Sequence, residues 1–329
     1  MHKIDCLGVG SPIVDTLVRV DDAFLAEVDA AKGGMILVDA DRMADVVFRL
    51  PKDRAEASGG SAGNTIVAMA RLETHTDMMG KIGDDATGRF FVKSMESAGA
   101  TSTRIKRGTG PSARCLSMIT PDSERTMFTC LAAASTLAPS EILQSDVENC
   151  RFVYIEGYMF FNRALVDRLL EVCAIAKVDV GLDLGSFTVV NAVKEDLPDI
   201  LKKHIKAVFA NEDEAKALFG ELPEEEMAKR LGQLCPIAVL KIGKRGSIVC
   251  ESGKLTRISP VIVEKAVDTT GAGDYWAAGF LHAYLKGATV DQCGRCGSLL
   301  GAEVVQVVGA SLPESIWNRV RKEVETIIG

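Results

Sequence analysis

The chain has 329 residues, 47% of them hydrophobic and 25% charged, enough to bury a large core in one large domain with room for an appendage. Its net charge of -7, with no block of basic residues, argues against a nucleic-acid footprint. Residues 1–20 hold no basic segment followed by an apolar one, and no apolar run approaches the roughly 18–20 residues that span a bilayer, so the expectation is a cytoplasmic protein with no membrane partner. Nine cysteines, an odd number in a long chain without a secretory signal, read as reduced thiols. Cys293 and Cys296 form a lone C-x-x-C with no second pair and no nearby His to complete a zinc site, so they read as positions i and i+3 of a helix.

In chain order, "IDCLGVG" (4–10) predicts a strand buried on both faces. The "GVGSPI" that ends it is close to a dinucleotide fingerprint, but Ile13 replaces the third glycine and Asp15 comes too early for the ribose-binding acid. "VDTLVRV" (14–20), "MILVD" (35–39) and the stretch 113–130, which turns at a Pro-Asp, alternate like an exposed sheet and predict a small β appendage. "FVYIEGY" (152–158), "VDVGLDL" (178–184), "KAVFAN" (206–211) and "IAVLKIG" (237–243) predict further buried strands, with helices over 163–177, 190–203 and 212–234 between them. Such alternation predicts an α/β fold with a mainly parallel sheet, helices on both faces, and function at the C-terminal strand ends.

"DTTGAGD" (268–274) then opens an apolar helix pattern near Ala272. Gly271, Ala272 and Gly273 let a ligand approach the backbone, and free amides at the positive end of a helix suit phosphate charge. Asp274 falls in the first turn, where that dipole is expected to keep it ionised and ready to take the proton of an attacking hydroxyl. A threonine-capped helix with a dipole-complementing Asp explains the same residues without any chemistry. The chain has no G-x-x-x-x-G-K-[ST], and its four histidines suggest no triad.

The run 268–274 resembles the C-terminal signature of the PfkB (ribokinase-like) kinases. "SGGSAGNTIVAMARL" (58–72) with "GKIGDDATG" (80–88), "NEDE" (211–214) and "KIGKRG" (241–246) are similar to that family's other motifs, in order over essentially the whole chain. "GVGSPIVD", "GGMILVD" and "CLAAAS" resemble the adenosine kinase branch, with Ser11 where that branch commonly has Asn. The resemblance implies a ribokinase-like fold divided into a large α/β domain (1–13, 40–112 and 131–329), binding nucleotide and substrate, and a small β lid (14–39 and 113–130). It implies ATP and Mg2+ as cofactors, with K+ in members that use it, and a homodimer through the lid among the partners. The acceptor is then a nucleoside, with a free sugar as the alternative and a silent binding protein as a distant third. Under this resemblance Asp274 is the base and Gly271, Ala272 and Gly273 the anion hole. Ser11, Asp15, Gly59, Gly60 and Asn64 hold substrate hydroxyls, and Ile36, Leu37 and Leu131 offer an apolar slot. Asn211, Glu214, Lys241, Gly243 and Gly246 serve the nucleotide, Glu214 reaching magnesium through water, and Asp268 belongs to a monovalent-cation site.

Overall fold

A computed structural model describes residues 4–122 and 124–329; Met1–Lys3, placed by the sequence in the large domain, and Ser123, in the Pro-Asp turn, lie outside the described residues. The strands, in chain order, are β1 Ile4–Val9, β2 Ile13–Arg19, β3 Gly34–Leu37, β4 Arg54–Gly59, β5 Thr76–Gly83, β6 Thr101–Gly108 and β7 Ala113–Ile119. They continue with β8 Arg125–Cys130, β9 Cys150–Glu156, β10 Asp179–Asp183, β11 Ala207–Asn211, β12 Ile237–Lys241, β13 Ser247–Glu251 and β14 Lys254–Ile258.

Nine strands form one sheet in the order β14-β13-β12-β11-β10-β9-β1-β5-β6. It is parallel except for the two pairs that β13 makes with β12 and β14. β9 and β12 are apolar along nearly their whole length because helices cover both sheet faces, giving two large cores. One is centred on Val153, Leu182 and Leu240; the other on Phe209, Trp276 and Phe280. β1 stands between β9 and β5, which continue the sheet in opposite directions, so the crevice of this α/β sheet opens at the end of β1.

The remaining five strands form a second sheet, β3-β8-β7-β2-β4. One of its faces is packed by the helices Asp22–Glu27 and Ala40–Arg49 around Val18, Val46, Leu116 and Phe128. This corrects the expected boundary: residues 40–59 carry β4 and a helix of the second sheet, not part of the large unit. β4, "RAEASG", lacks an apolar alternation because most of it is exposed, so its sequence reads as a loop. Two expected helices also divide. Pro198 starts Leu197–His204 anew after Phe187–Val193, and Gly220 and Pro223 separate Glu212–Phe219 from Glu224–Gly232. Cys293 and Cys296 are buried on the helix Val290–Val304, as expected. Among the described residues no helix is long and apolar enough to cross a membrane.

Candidate active site

The ends of β1, β9, β10, β11 and β12 bring a group of polar side chains beneath the start of the helix Ala272–Leu285. Gly271 caps that helix with φ 75°, and a β-carbon there would come within 2.7 Å of the Ala310 methyl, so the turn requires glycine. Among the described residues the amides of Gly271 and Gly273 have no acceptor. The Ala272 amide, expected to join them, donates to the Thr269 carbonyl at 3.2 Å, so the anion hole rests on its two neighbours.

Asp274 points into the gap between this helix and Ser61–Arg71. The Ser61 hydroxyl donates to its Oδ1 at 2.7 Å and the Asn64 amide to its Oδ2 at 2.8 Å. Burial pushes this carboxyl up to about 6, against the two hydrogen bonds and the nearby Lys241. Such a group is mostly ionised at neutral pH yet basic enough to accept a proton. Asn64, read from sequence as a substrate contact, is therefore a direct support of Asp274, as is Ser61, which was not singled out.

Gly60 adopts φ 83°, with the Ser11 carbonyl against the place a β-carbon would take, so the Ser11 loop and the helix start pack backbone to backbone. Glu156, at the end of β9 and 2% exposed, fixes both: its oxygens accept from the Ser11 amide at 2.8 Å and the Ala62 amide at 2.9 Å. Burial raises Glu156 to about 7.

Asp15, on β2, lies against Gly59 of β4, and its carboxylate has no hydrogen bond among the described residues. Burial, followed by the charge of Asp274, pushes it up to about 7. Register places Asp15 opposite Cys115, Cys115 opposite Thr129 and Thr129 beside Leu37, so these four share the sheet face not covered by helices. Leu131 lies just past the end of β8, where the chain turns into the 3-10 helix Ala132–Thr136. Ile36 pairs with Phe128, which points into the helix-packed core, and so faces away from Asp15; the slot expected from Ile36 and Leu37 together keeps only Leu37.

Beyond β11, Asn211 and Glu214 form a capping box: the Glu214 carboxylate accepts from the Asn211 amide at 2.8 Å and from its side-chain nitrogen at 2.7 Å. Burial, then Asp183, raises the Glu214 carboxyl. Gly243 and Gly246 bracket a single tight turn after β12, while Lys241 points inward and donates to Asp183 at 2.8 Å. Asp183, like Glu156, is a strand-end carboxylate with no motif around it in the sequence.

Asp268 does not fit a monovalent-cation site. Its oxygens are already taken by the Arg125 guanidinium of β8 at 2.7 Å, by the amides of Gly309 and Thr270, and by the Thr270 hydroxyl. Together these bonds hold its carboxyl below the usual range although burial opposes them. The same contact ties the small sheet to the loop leading into the anion hole.

The model of the pfkB family carbohydrate kinases matches residues 29–317. The chain belongs to this family. As a pfkB-family kinase it is a phosphotransferase acting on an alcohol group. A solved adenosine kinase from Sinorhizobium meliloti is similar to this kinase over 98% of this chain and 99% of that one, with 31% identity and a TM-score of 0.86. A probable sugar kinase from Rhizobium etli CFN 42 has the same coverage and TM-score at 28% identity. Adenosine kinase 2 of Arabidopsis thaliana is 26% identical over 94% of this chain and 95% of its own.

Proposed function

We propose that this pfkB-family kinase moves the γ-phosphoryl group of ATP to the primary hydroxyl of a ribose-containing substrate, a nucleoside such as adenosine. The observation that carries the reading is the adjacency of a half-buried carboxylate, Asp274, to two amides without acceptors, those of Gly271 and Gly273. An acceptor hydroxyl placed at Asp274 loses its proton to that carboxylate as its oxygen bonds to the γ-phosphorus and the bond to the β-phosphate oxygen breaks. The amides face the charge on the transferring group, where a donor in a dry site is worth about 3–4 kcal/mol. The Asp15 carboxylate, without a hydrogen bond among the described residues, would accept from the ribose hydroxyls, with Ser11, Gly59 and Gly60 near it supporting this reading.

A nucleoside is favoured over a free sugar by the uncovered face beside Asp15. Leu37 is 64% exposed and Met35, two residues earlier on the same face, is 52% exposed. A purine closing against that face would bury apolar surface that a free sugar leaves in water. The sheet would then act as a lid, shutting the site against hydrolysis of ATP.

Magnesium would come with ATP. Asp183 at the end of β10 and Glu214 in the first turn of the helix after β11, buried carboxylates with a single lysine to offset them, suit an ion that keeps its waters and its phosphate ligands. Bound there, magnesium supplies charge neutralisation of the phosphates.

The test is ADP release across a panel of nucleosides, pentoses and hexoses. Adenosine or another nucleoside should exceed ribose in kcat/KM by several orders of magnitude. A sugar turning over faster than every nucleoside would overturn the acceptor reading.

A further inference from the structure

Lys241 closes β12 directly beneath the anion hole. Its side chain is 13% exposed, and its Nζ donates to Asp183 Oδ2 at 2.8 Å. A β-carbon built on Gly273 would lie 3.0 Å from that Nζ, so the ammonium sits against the backbone of the residue whose amide faces the phosphate space. The absence of a side chain at Gly273 is what permits the approach. Around Lys241 stand Asp183 from β10, Glu214 from Glu212–Phe219 and Asp274 from Ala272–Leu285, with the buried Tyr154 hydroxyl of β9 beside Asp183 and Asp274, unpartnered among the described residues. Burial opposes the ammonium, but the three carboxylates outweigh it and raise its pKa, so the lysine stays charged.

We propose that Lys241 is a catalytic cation of the phosphoryl transfer: its ammonium, held on Asp183 in the free enzyme, contacts the oxygens of the transferring γ-phosphoryl group beside the amides of Gly271 and Gly273. The inference rests on the kinase reading of that anion hole and adds the full charge that two neutral amides lack. A lysine serves phosphate as a mobile point charge, without the fixed fork of an arginine. Throughout the transfer Lys241 keeps its proton. The hydroxyl proton goes to Asp274, the new bond joins acceptor oxygen to phosphorus, and ADP leaves with the electrons of the broken bond. A cation serving only to balance Asp183 and Glu214 would satisfy the same burial but has no need to stand against Gly273.

The experiment compares wild type with Lys241→Met, Lys241→Arg, Asp183→Asn and the double variant Lys241→Met/Asp183→Asn, measuring kcat, both KM values and thermal stability with the best acceptor of the panel. Removing one preorganised stabiliser of transition-state charge typically lowers kcat by about 10²- to 10³-fold. Lys241→Met should show that loss with the acceptor KM within about threefold, and Lys241→Arg should recover about a tenth or more of the wild-type kcat. The double variant removes the orphaned carboxylate, and Asp183→Asn alone shows what losing that contact with magnesium costs. The double variant should melt near wild type and turn over at least about tenfold more slowly than Asp183→Asn, whereas a kcat equal to that of Asp183→Asn would overturn the proposal. A folded double variant with kcat within threefold of wild type would overturn the proposal. Should no acceptor be phosphorylated by wild type, the acceptor reading fails by itself, and slow hydrolysis of ATP by the same proteins still reports on Lys241: a decrease in the double variant below Asp183→Asn supports it, and a rate equal to that of Asp183→Asn refutes it.

Discussion

Asp274 should show itself as a titration in the rate. With its carboxyl pushed up to about 6 by burial, the ionised base is half formed at pH 6 and largely formed at neutrality. In kcat/KM, which reports the free enzyme, the rate should rise with pH through an acid limb near 6, falling to about a tenth of its plateau at pH 5. Asn64→Ala removes the 2.8 Å bond to Oδ2, a contact that favours the ionised form and holds the pKa down. A hydrogen bond to a charged group contributes about 1.5–3 kcal/mol. At about 1.4 kcal/mol per pKa unit, its loss should move the limb upward by roughly one to two units. At pH 6 the variant should then run at about a tenth or less of its own plateau, where wild type runs at half. ADP release between pH 5 and 8.5, with the detecting enzymes in excess at every pH, measures both profiles. Asp15 and Glu156 are raised into the same region, but neither bonds to Asn64, so a limb belonging to them would stay in place. A limb that does not move in Asn64→Ala, or that moves to lower pH, would refute the assignment of the base.

Further outcomes follow from other parts of the molecule. Glu156→Leu leaves the amides of Ser11 and Ala62 without their acceptor, at about 1–3 kcal/mol each, so denaturant melts should show a clear loss that Glu156→Gln shares only in part. His282 is buried with its Nδ1 2.7 Å from the Thr74 hydroxyl, and burial, with Lys286, lowers its pKa from 6.5 to about 4. Its neutral form is the one the fold keeps, so that contribution is present above pH 6.5 and is lost as pH falls from 6.5 to 4, by about 3 kcal/mol in all. His282→Gln should therefore lose less stability than wild type between pH 7 and 4.5; an equal loss would place the acid sensitivity elsewhere. If the small sheet closes over the acceptor, amide exchange in β2, β3, β7 and β8 should slow when nucleoside is added, whereas protection confined to the nine-stranded sheet would rule out a lid. If Asp15 reads the ribose, 2′- or 3′-deoxynucleosides should lose up to about 10⁴-fold in kcat/KM, far more than analogues altered in the base.

The strands of the large sheet and the helix opening at Ala272 are legible in the sequence because buried strands carry unbroken apolar runs and a helix start next to Gly271 is a local event. The pairing of Asp274 with Asn64 is not local: 210 positions separate them, and nothing in "GNT" says where its amide points. Glu156 and Asp183 look like ordinary strand-end acids until β9, β1 and β10 lie side by side. Asp268 shows the opposite failure. Its motif marked it for a cation, and only the folded small sheet reveals that Arg125 is the cation it holds. Ile36 and Leu37 look like one apolar patch in the sequence because both are hydrophobic, whereas alternation along β3 sends neighbours to opposite faces.

The central claim is that Asp274 takes the proton of the acceptor at the anion hole, and kcat of Asp274→Asn measured beside its affinity for ATP tests it most directly. Asparagine keeps the shape and can still meet Ser61 and Asn64, but it cannot accept the proton. The account predicts a folded enzyme that binds ATP within about threefold of wild type and turns over about 10²- to 10⁴-fold more slowly. An Asp274→Asn enzyme that keeps more than half of the wild-type kcat would contradict it.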